Sequence, residues 1–278
     1  MSQQAERREH LGDVGPGWHC CHFYYRFDRS GLSRLAASEV GEGRGQMIAA
    51  LDPAGAGATA RLQTFVVSGH KADFGLLLMD PDPLKIDAVH QTLLSGRLGP
   101  CLQPVYSFVS LTEVSEYVPT VSQYAARLIH EGESESSPTY QARVKAYQAR
   151  LAVMNRQRLT PDFPDWPAIC FYPMNKRREV GANWFRLPFS ERSRLMTEHG
   201  RSGMRFADQV SQLISVGIGL DDWEWGVTLW ARQPQYLKDI VYRLRFDEAS
   251  AVYAEFGPFF AGYVMPAAQI LQHCRIGD

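Results

Sequence analysis

The residues best equipped for chemistry lie between positions 156 and 250. Arg156 and Arg158 precede a proline-rich loop, Pro161 to Pro167, and Lys176, Arg177 and Arg178 follow the aromatic run Cys170-Phe171-Tyr172-Pro173. Five cations therefore bracket one tyrosine-bearing segment. Guanidinium forks and ammonium groups hold carboxylates and phosphates, so the pattern points to a polyanionic small molecule, with a solvated charge run as the plain alternative. Pro173 restricts Tyr172 to an extended backbone. A tyrosine among cations can donate a hydrogen bond to a carboxylate, be oxidised to a radical, or simply pack, and the spacing leaves all three open.

None of the eight histidines forms an HxH, HExxH or HxxxH pair, so no zinc site is indicated. His19 and His22 fall on opposite faces of a strand. His199 is read as ending a helix before Gly200, where a cation is favoured by the helix dipole. The glycine would also let a flat ligand approach the backbone. Gln212, 13 residues further on, stands either on another wall of the same cavity or on the surface. Asp247, Glu248 and Ser250 sit together in Arg245-Phe246-Asp247-Glu248-Ala249-Ser250. Carboxylates in such a place either orient a ligating histidine or pair with local cations.

These side chains need a scaffold, and the 278-residue chain is long enough to bury a large core. Lys+Arg number 29 against 30 Asp+Glu, a balance that excludes a phosphate-backbone binder, so no nucleic-acid partner is expected. Cys20, Cys21, Cys101, Cys170 and Cys274 form no CxxC pair and read as free thiols of a reducing compartment. The N-terminus lacks the apolar stretch of a signal peptide, and no apolar run approaches the ~18 residues of a membrane span, so a cytoplasmic location is expected.

Strands are expected at Trp18 to Phe27, Arg61 to Val67, Asp73 to Met79 and Val105 to Leu111, and a helix at Leu84 to Leu94. Gly41 to Gly57 reads as a soft-ended helix or a loop. The second half repeats this grammar. Glu224-Trp225-Gly226-Val227-Thr228-Leu229-Trp230 matches Asp73-Phe74-Gly75-Leu76-Leu77-Leu78-Met79 as acid, aromatic, glycine and apolar strand, each followed by a proline and a Leu-Lys helix. The repeat implies an internal duplication and an α+β protein of two similar halves. A helix opens at Ser190 as N-cap, breaks at Gly200 and resumes from Ser202 to Ser215. The chain divides into a flexible arm (1–17), an N-terminal half (18–137), a C-terminal half (138–264) and an extension (265–278), with the acidic stretch Glu131 to Ser137 as hinge.

The ordered string Cys170 to Arg178, Asn183-Trp184-Phe185-Arg186-Leu187-Pro188-Phe189, Glu198-His199-Gly200, Trp223 to Leu229 and Arg245 to Ser250 resembles the chlorite-dismutase-like superfamily. It is most similar to the coproheme decarboxylases of the Gram-positive type. The resemblance is dense from about Arg156 to Gly262 and weaker before that. It implies two ferredoxin-like halves forming a dimeric α+β barrel within one chain, the C-terminal half binding haem, and a homo-oligomeric ring of five. It implies peroxide-dependent decarboxylation of two propionates of iron coproporphyrin III (coproheme), substrate and redox cofactor at once, to give haem b. It further implies His199 as iron ligand, Tyr172 as the radical residue and Lys176 as its helper at the reacting carboxylate. Arg158 and Ser250 would bind propionates, Met174 would line the pocket, and Gln212 would be the distal glutamine. Glu248 is the expected carboxylate partner of His199. The neutral Gln212 stands where chlorite dismutases carry an arginine, which separates the two branches. A non-catalytic porphyrin carrier is the other alternative, and a ferrochelatase is the natural transient partner to deliver coproheme.

Overall fold

The computed structural model describes residues 17–277, so the arm expected over 1–17 lies, except for its last residue, outside the described residues. Two units are present, one comprising Trp18–Leu111 and Phe163 onward, the other Thr112–Asp162 with Gly17.

The larger unit is the duplicated part. Its first half runs β1 (His19–Phe27), α1 (Ala37–Ala50), β2 (Arg61–Val67), β3 (Phe74–Asp80), α2 (Pro83–Ser95) and β4 (Leu102–Leu111). The smaller unit supplies α3 (Val121–His130) and α4 (Pro138–Leu159). The second half then runs β5 (Ala168–Lys176), a hairpin of β6 (Arg178–Glu179) and β7 (Ala182–Asn183), α5 (Phe189–Met204), β8 (Val210–Val216), β9 (Trp225–Ala231), α6 (Pro234–Leu244), the short α7 (Glu248–Ala251), β10 (Ala254–Phe256) and β11 (Phe260–Val264). Helix α8 (Ala267–His273) follows. Each half is β-α-β-β-α-β, the last strand of the second half being split in two. The strand order β2-β3-β1-β4 in the first half has its counterpart β8-β9-β5-β11 in the second. This is the duplicated ferredoxin-like α+β fold. Pairings β11–β2 and β4–β8 join the halves, and β5–β9 closes the sheet into an antiparallel ring.

The repeated motif has a physical reason in each position. Gly75 and Gly226 both face the barrel interior under aromatic rings. A Cβ at Gly75 would stand 2.4 Å from Phe65 Cε2, and one at Gly226 would stand 2.4 Å from Phe108 Cε1. The preceding acids perform equivalent tasks. Asp73 Oδ2 accepts from the backbone N–H of Phe27 (2.7 Å), at the end of β1. Glu224 Oε2 accepts from that of Lys176 (2.8 Å), at the end of β5. Each acid also pairs with an arginine two residues beyond that strand end, Arg29 and Arg178.

Three apolar clusters hold the unit together. One fills the barrel interior, with Tyr24, Phe65, Phe108, Phe171, Leu213 and Trp230. One lies under α1, α2 and α8 on the outer face of the first half. The third includes Tyr172, Val227 and Leu229 with Leu237 and Ile240 of α6, on the outer face of the second half. The C-terminal extension docks on the first of these outer faces through buried Ile270, Leu271, Cys274 and Ile276. Thr64 and Met265 exchange hydrogen bonds at its start. All five cysteines are buried and free.

In the smaller unit, Tyr124 of α3 and Tyr147 of α4 stack at 4.0 Å. The stretch Glu131 to Ser137 connects these two helices.

Two expected elements differ from the structure. Helix α5 passes through Gly200 unbroken, starting after Pro188 with no side-chain cap from Ser190. The helix expected over Ser202 to Ser215 ends at Met204, and Val210–Val216 is strand β8. Val210 and Ile214 are buried or half-buried on one face and Leu213 on the other. A strand covered on both faces loses its alternation and imitates helical spacing.

Candidate functional site

Strand β5 sets the geometry of the outer face of the second half. Tyr172, Met174 and Lys176 alternate onto that face with Cys170. Cross-strand partners extend it: Tyr172 lies opposite Val227 and Cys170 opposite Leu229 of β9, while Gln212 of β8 also pairs with Leu229. Tyr172 and Gln212 thus share one face, two strands and one pleat apart, a Cα separation of about 12 Å from strand spacing and rise. Gln212 is exposed and Met174 half-buried.

Tyr172 is 5% exposed. Its ring stacks on Phe259 at 4.4 Å, and its hydroxyl has no hydrogen-bond partner among the described residues. Burial is the main reason its pKa is raised, with Cys170 adding to it and Arg245 opposing it.

Lys176 is an ammonium brought inside. Its Nζ donates to the Ala249 carbonyl (2.9 Å) and lies 4.1 Å above the Trp184 ring. Burial lowers its pKa to about 8, with Glu224 pulling the other way. The Ala249 contact places the neighbouring Ser250, itself 8% exposed, beside this cation.

His199 lies within α5, one turn before its end, so the helix-terminus argument for a cation falls away. Its Nδ1 is 3.4 Å from Asp247 Oδ2, an approach that stops short of an aligned hydrogen bond. Asp247 is 1% exposed and is held from the other side by Ser202 (2.8 Å) and Arg243 (3.8 Å). Glu248, the expected partner, instead binds Arg194 at 3.0 Å on the surface. The adjacent Asp247 takes its place because Glu248 opens α7 pointing outward. The His199 pKa is lowered by burial and by the charge of Lys176, while Asp247 opposes the shift. Its Nε2 has no partner among the described residues. A Cβ at Gly200 or Gly203 would meet nothing within 4 Å, so the helix surface beside the imidazole is open.

The expected basic cluster is divided. Arg158 lies on α4 of the smaller unit, where its Nε donates to the Glu113 carbonyl at 2.9 Å, and Arg156 is on the same helix. Arg178 is committed to Glu224. Sequence reasoning gave no role in this network to Trp184, Glu224 or Ser202, and preferred Glu248 to Asp247. Asp247 carried a signal as one of the two acids beside Ser250, and Glu224 carried one in its equivalence to Asp73 in the repeat.

The donor set suits an iron porphyrin bearing carboxylates. Among the described residues His199 Nε2 and the Tyr172 hydroxyl have no hydrogen-bond partner, and the buried Lys176 ammonium donates to a backbone carbonyl and sits over a ring. Among the described residues no cluster of three or more His, Cys, Asp or Glu could hold a bare metal ion. Among the described residues no helix is long and apolar enough to cross a membrane.

Comparison with known proteins places the chain among relatives of the same fold. The family model for chlorite dismutase matches residues 42–265. The coproheme decarboxylase of Staphylococcus carnosus (strain TM300) is 38% identical over 210 residues, covering 76% of this chain and 75% of that protein. Among solved structures, a haem-binding protein from Thermus thermophilus superposes with a TM-score of 0.73 at 31% identity, over 94% of this chain and 95% of that one. The chlorite dismutase of Candidatus Nitrospira defluvii in complex with imidazole gives a TM-score of 0.70 over 98% of this chain and 100% of that one, at 16% identity, a likeness of fold.

Proposed function

The chain belongs to the chlorite dismutase family, and from that premise we propose that it is a coproheme decarboxylase, converting iron coproporphyrin III to haem b with hydrogen peroxide. The observation that carries this reading is Tyr172: a buried phenol with an unpartnered oxygen, on the same sheet face as Lys176 and Gln212. Bound coproheme supplies the oxidising capacity drawn from peroxide. His199 Nε2 is the atom assigned to the iron, with Asp247 steadying the ring from Nδ1. Tyr172, as a phenoxyl radical, takes a hydrogen atom from the propionate carbon next to the macrocycle. Lys176 and Ser250 hold the carboxylate, and Met174 shapes the wall between them. Overall, each propionate with one hydrogen peroxide and one proton gives a vinyl group, carbon dioxide and two waters. Gln212 would be the neutral amide on the side of the macrocycle away from His199, which would leave oxychlorine chemistry without the cation it needs. Arg158 as a propionate ligand, the ring of five and delivery by a ferrochelatase complete the proposal.

The test follows porphyrin mass after peroxide is added to the protein with iron coproporphyrin III. Two successive losses of carbon dioxide are expected, and Tyr172→Phe should bind coproheme yet lose neither. Intact mass in the wild type, with porphyrin bound, would leave a carrier in place of an enzyme. Oxygen release from chlorite would move the chain to the other branch.

A further inference from the structure

We infer that Phe259 is a positioning residue for Tyr172, an inference that rests on the coproheme reading above. The phenol has no polar partner to set its ring torsion, and the terminal torsion of tyrosine is intrinsically broad. A face bounds it instead. Phe259 lies nearly parallel at 4.4 Å and 21°, and Phe256 tilts against the same ring at 5.8 Å. Arg245 in turn covers Phe256 at 3.9 Å.

The backbone explains why Phe259 cannot easily leave. One edge of β5 is taken by β10 at Met174 to Lys176 and by β11 at Ala168 to Phe171. The turn Gly257-Pro258-Phe259 fills the gap between, at Tyr172 and Pro173. Gly257 N–H donates to the Pro173 carbonyl (2.9 Å). A Cβ at Gly257 would stand 2.7 Å from Pro173 Cγ and 2.8 Å from Trp223 Cζ2, so the close approach requires glycine. The Phe259 carbonyl is held by Lys71 Nζ at 2.7 Å. The segment that carries the stacking ring is thus anchored at Gly257 to the residue next to the tyrosine, and at Phe259 itself to Lys71. Hydrogen-atom transfer requires the phenoxyl oxygen to be aimed at one carbon, and small misplacements cost large factors in rate.

The experiment uses the full chain with ring-labelled tyrosine. In the apoprotein, NMR should show restricted flipping of the Tyr172 ring, released in Phe259→Leu and restored in Phe259→Tyr. With coproheme and peroxide, Phe259→Leu should slow decarboxylation by about ten- to a hundredfold at unchanged coproheme affinity, and Phe259→Tyr should recover the rate. Phe259→Met replaces the leucine variant if that one does not fold. A leucine variant with wild-type ring dynamics and rate overturns the inference, as does a joint loss of rate and affinity that tyrosine fails to restore. Failure of the wild type to decarboxylate would overturn the coproheme reading instead, and the ring-flip comparison would still decide what Phe259 does.

Discussion

Replacing Lys176 by methionine should leave the apoprotein about as stable as before while weakening its grip on coproheme. Burial lowers the folded-state pKa from 10.5 to about 8, so the cation costs roughly 3 kcal/mol of folding free energy at neutral pH. The Trp184 ring beneath it gives back about 2 kcal/mol as a desolvated cation–π contact. Removing the ammonium also strands the Ala249 carbonyl, at about 1–3 kcal/mol. These terms nearly cancel, and Lys176→Met should destabilise the apoprotein by about 2 kcal/mol at most. The pH dependence is the sharper signature. Between pH 8 and 10.5 the unfolded chain holds the lysine proton and the folded chain does not, so wild-type stability should rise with pH across that window by up to roughly 3 kcal/mol. The variant should lack that rise. Losing a charged hydrogen bond to a carboxylate should weaken coproheme binding by about ten- to a hundredfold. Urea unfolding of both apoproteins at several pH values, with coproheme titrations, measures each quantity. A variant destabilised by more than about 3 kcal/mol, or one keeping the alkaline rise, would refute the view that this cation serves the ligand at the expense of the fold.

Asp247→Asn should lower the His199 pKa further, since the carboxylate is the group that opposes the existing depression, and NMR titration of the apoprotein reads this directly. Gly226→Ala should destabilise the barrel by about 1–3 kcal/mol through overpacking against Phe108, visible as a lowered Tm. His22, buried beside Thr228 with its pKa lowered to about 3, should make the wild type lose up to roughly 5 kcal/mol of stability as pH falls from 6.5 toward 3. The unfolded imidazole takes up a proton over that range and the folded one does not. His22→Gln should flatten that slope in an acid unfolding series.

Much of the fold was legible because its strands carry strong local signals. Arg61 to Val67 was bounded to the residue, and the glycine of the repeat marked the two places where the barrel interior has no room for a side chain. The closure of the sheet was not legible from periodicity, since it depends on pairings between residues far apart, such as Val67 with Gly262. The stretch after Gly200 misled for a related reason. Burial on both faces of β8 gave Val210, Leu213 and Ile214 a helical rhythm, which Phe206 in the preceding turn extended. At the site, the motif order brought Tyr172, Met174, Lys176 and Gln212 to one face. It favoured Glu248 over Asp247, because adjacent residues differ in direction only once the short helix that Glu248 opens is built. Trp184 meets Lys176, and Phe259 meets Tyr172, through a ring face, a contact that leaves no trace in spacing.

The paired acids at the ends of β1 and β5 give the molecule an internal control. Asp73 and Glu224 secure equivalent strand ends in the two halves, but only the second end carries a buried amine, that of Lys176. Neutralising Asp73 therefore measures what such an anchor means to architecture alone. Whatever neutralising Glu224 adds beyond that amount reflects its pull on the Lys176 ammonium, so one half serves as the blank against which the other is read.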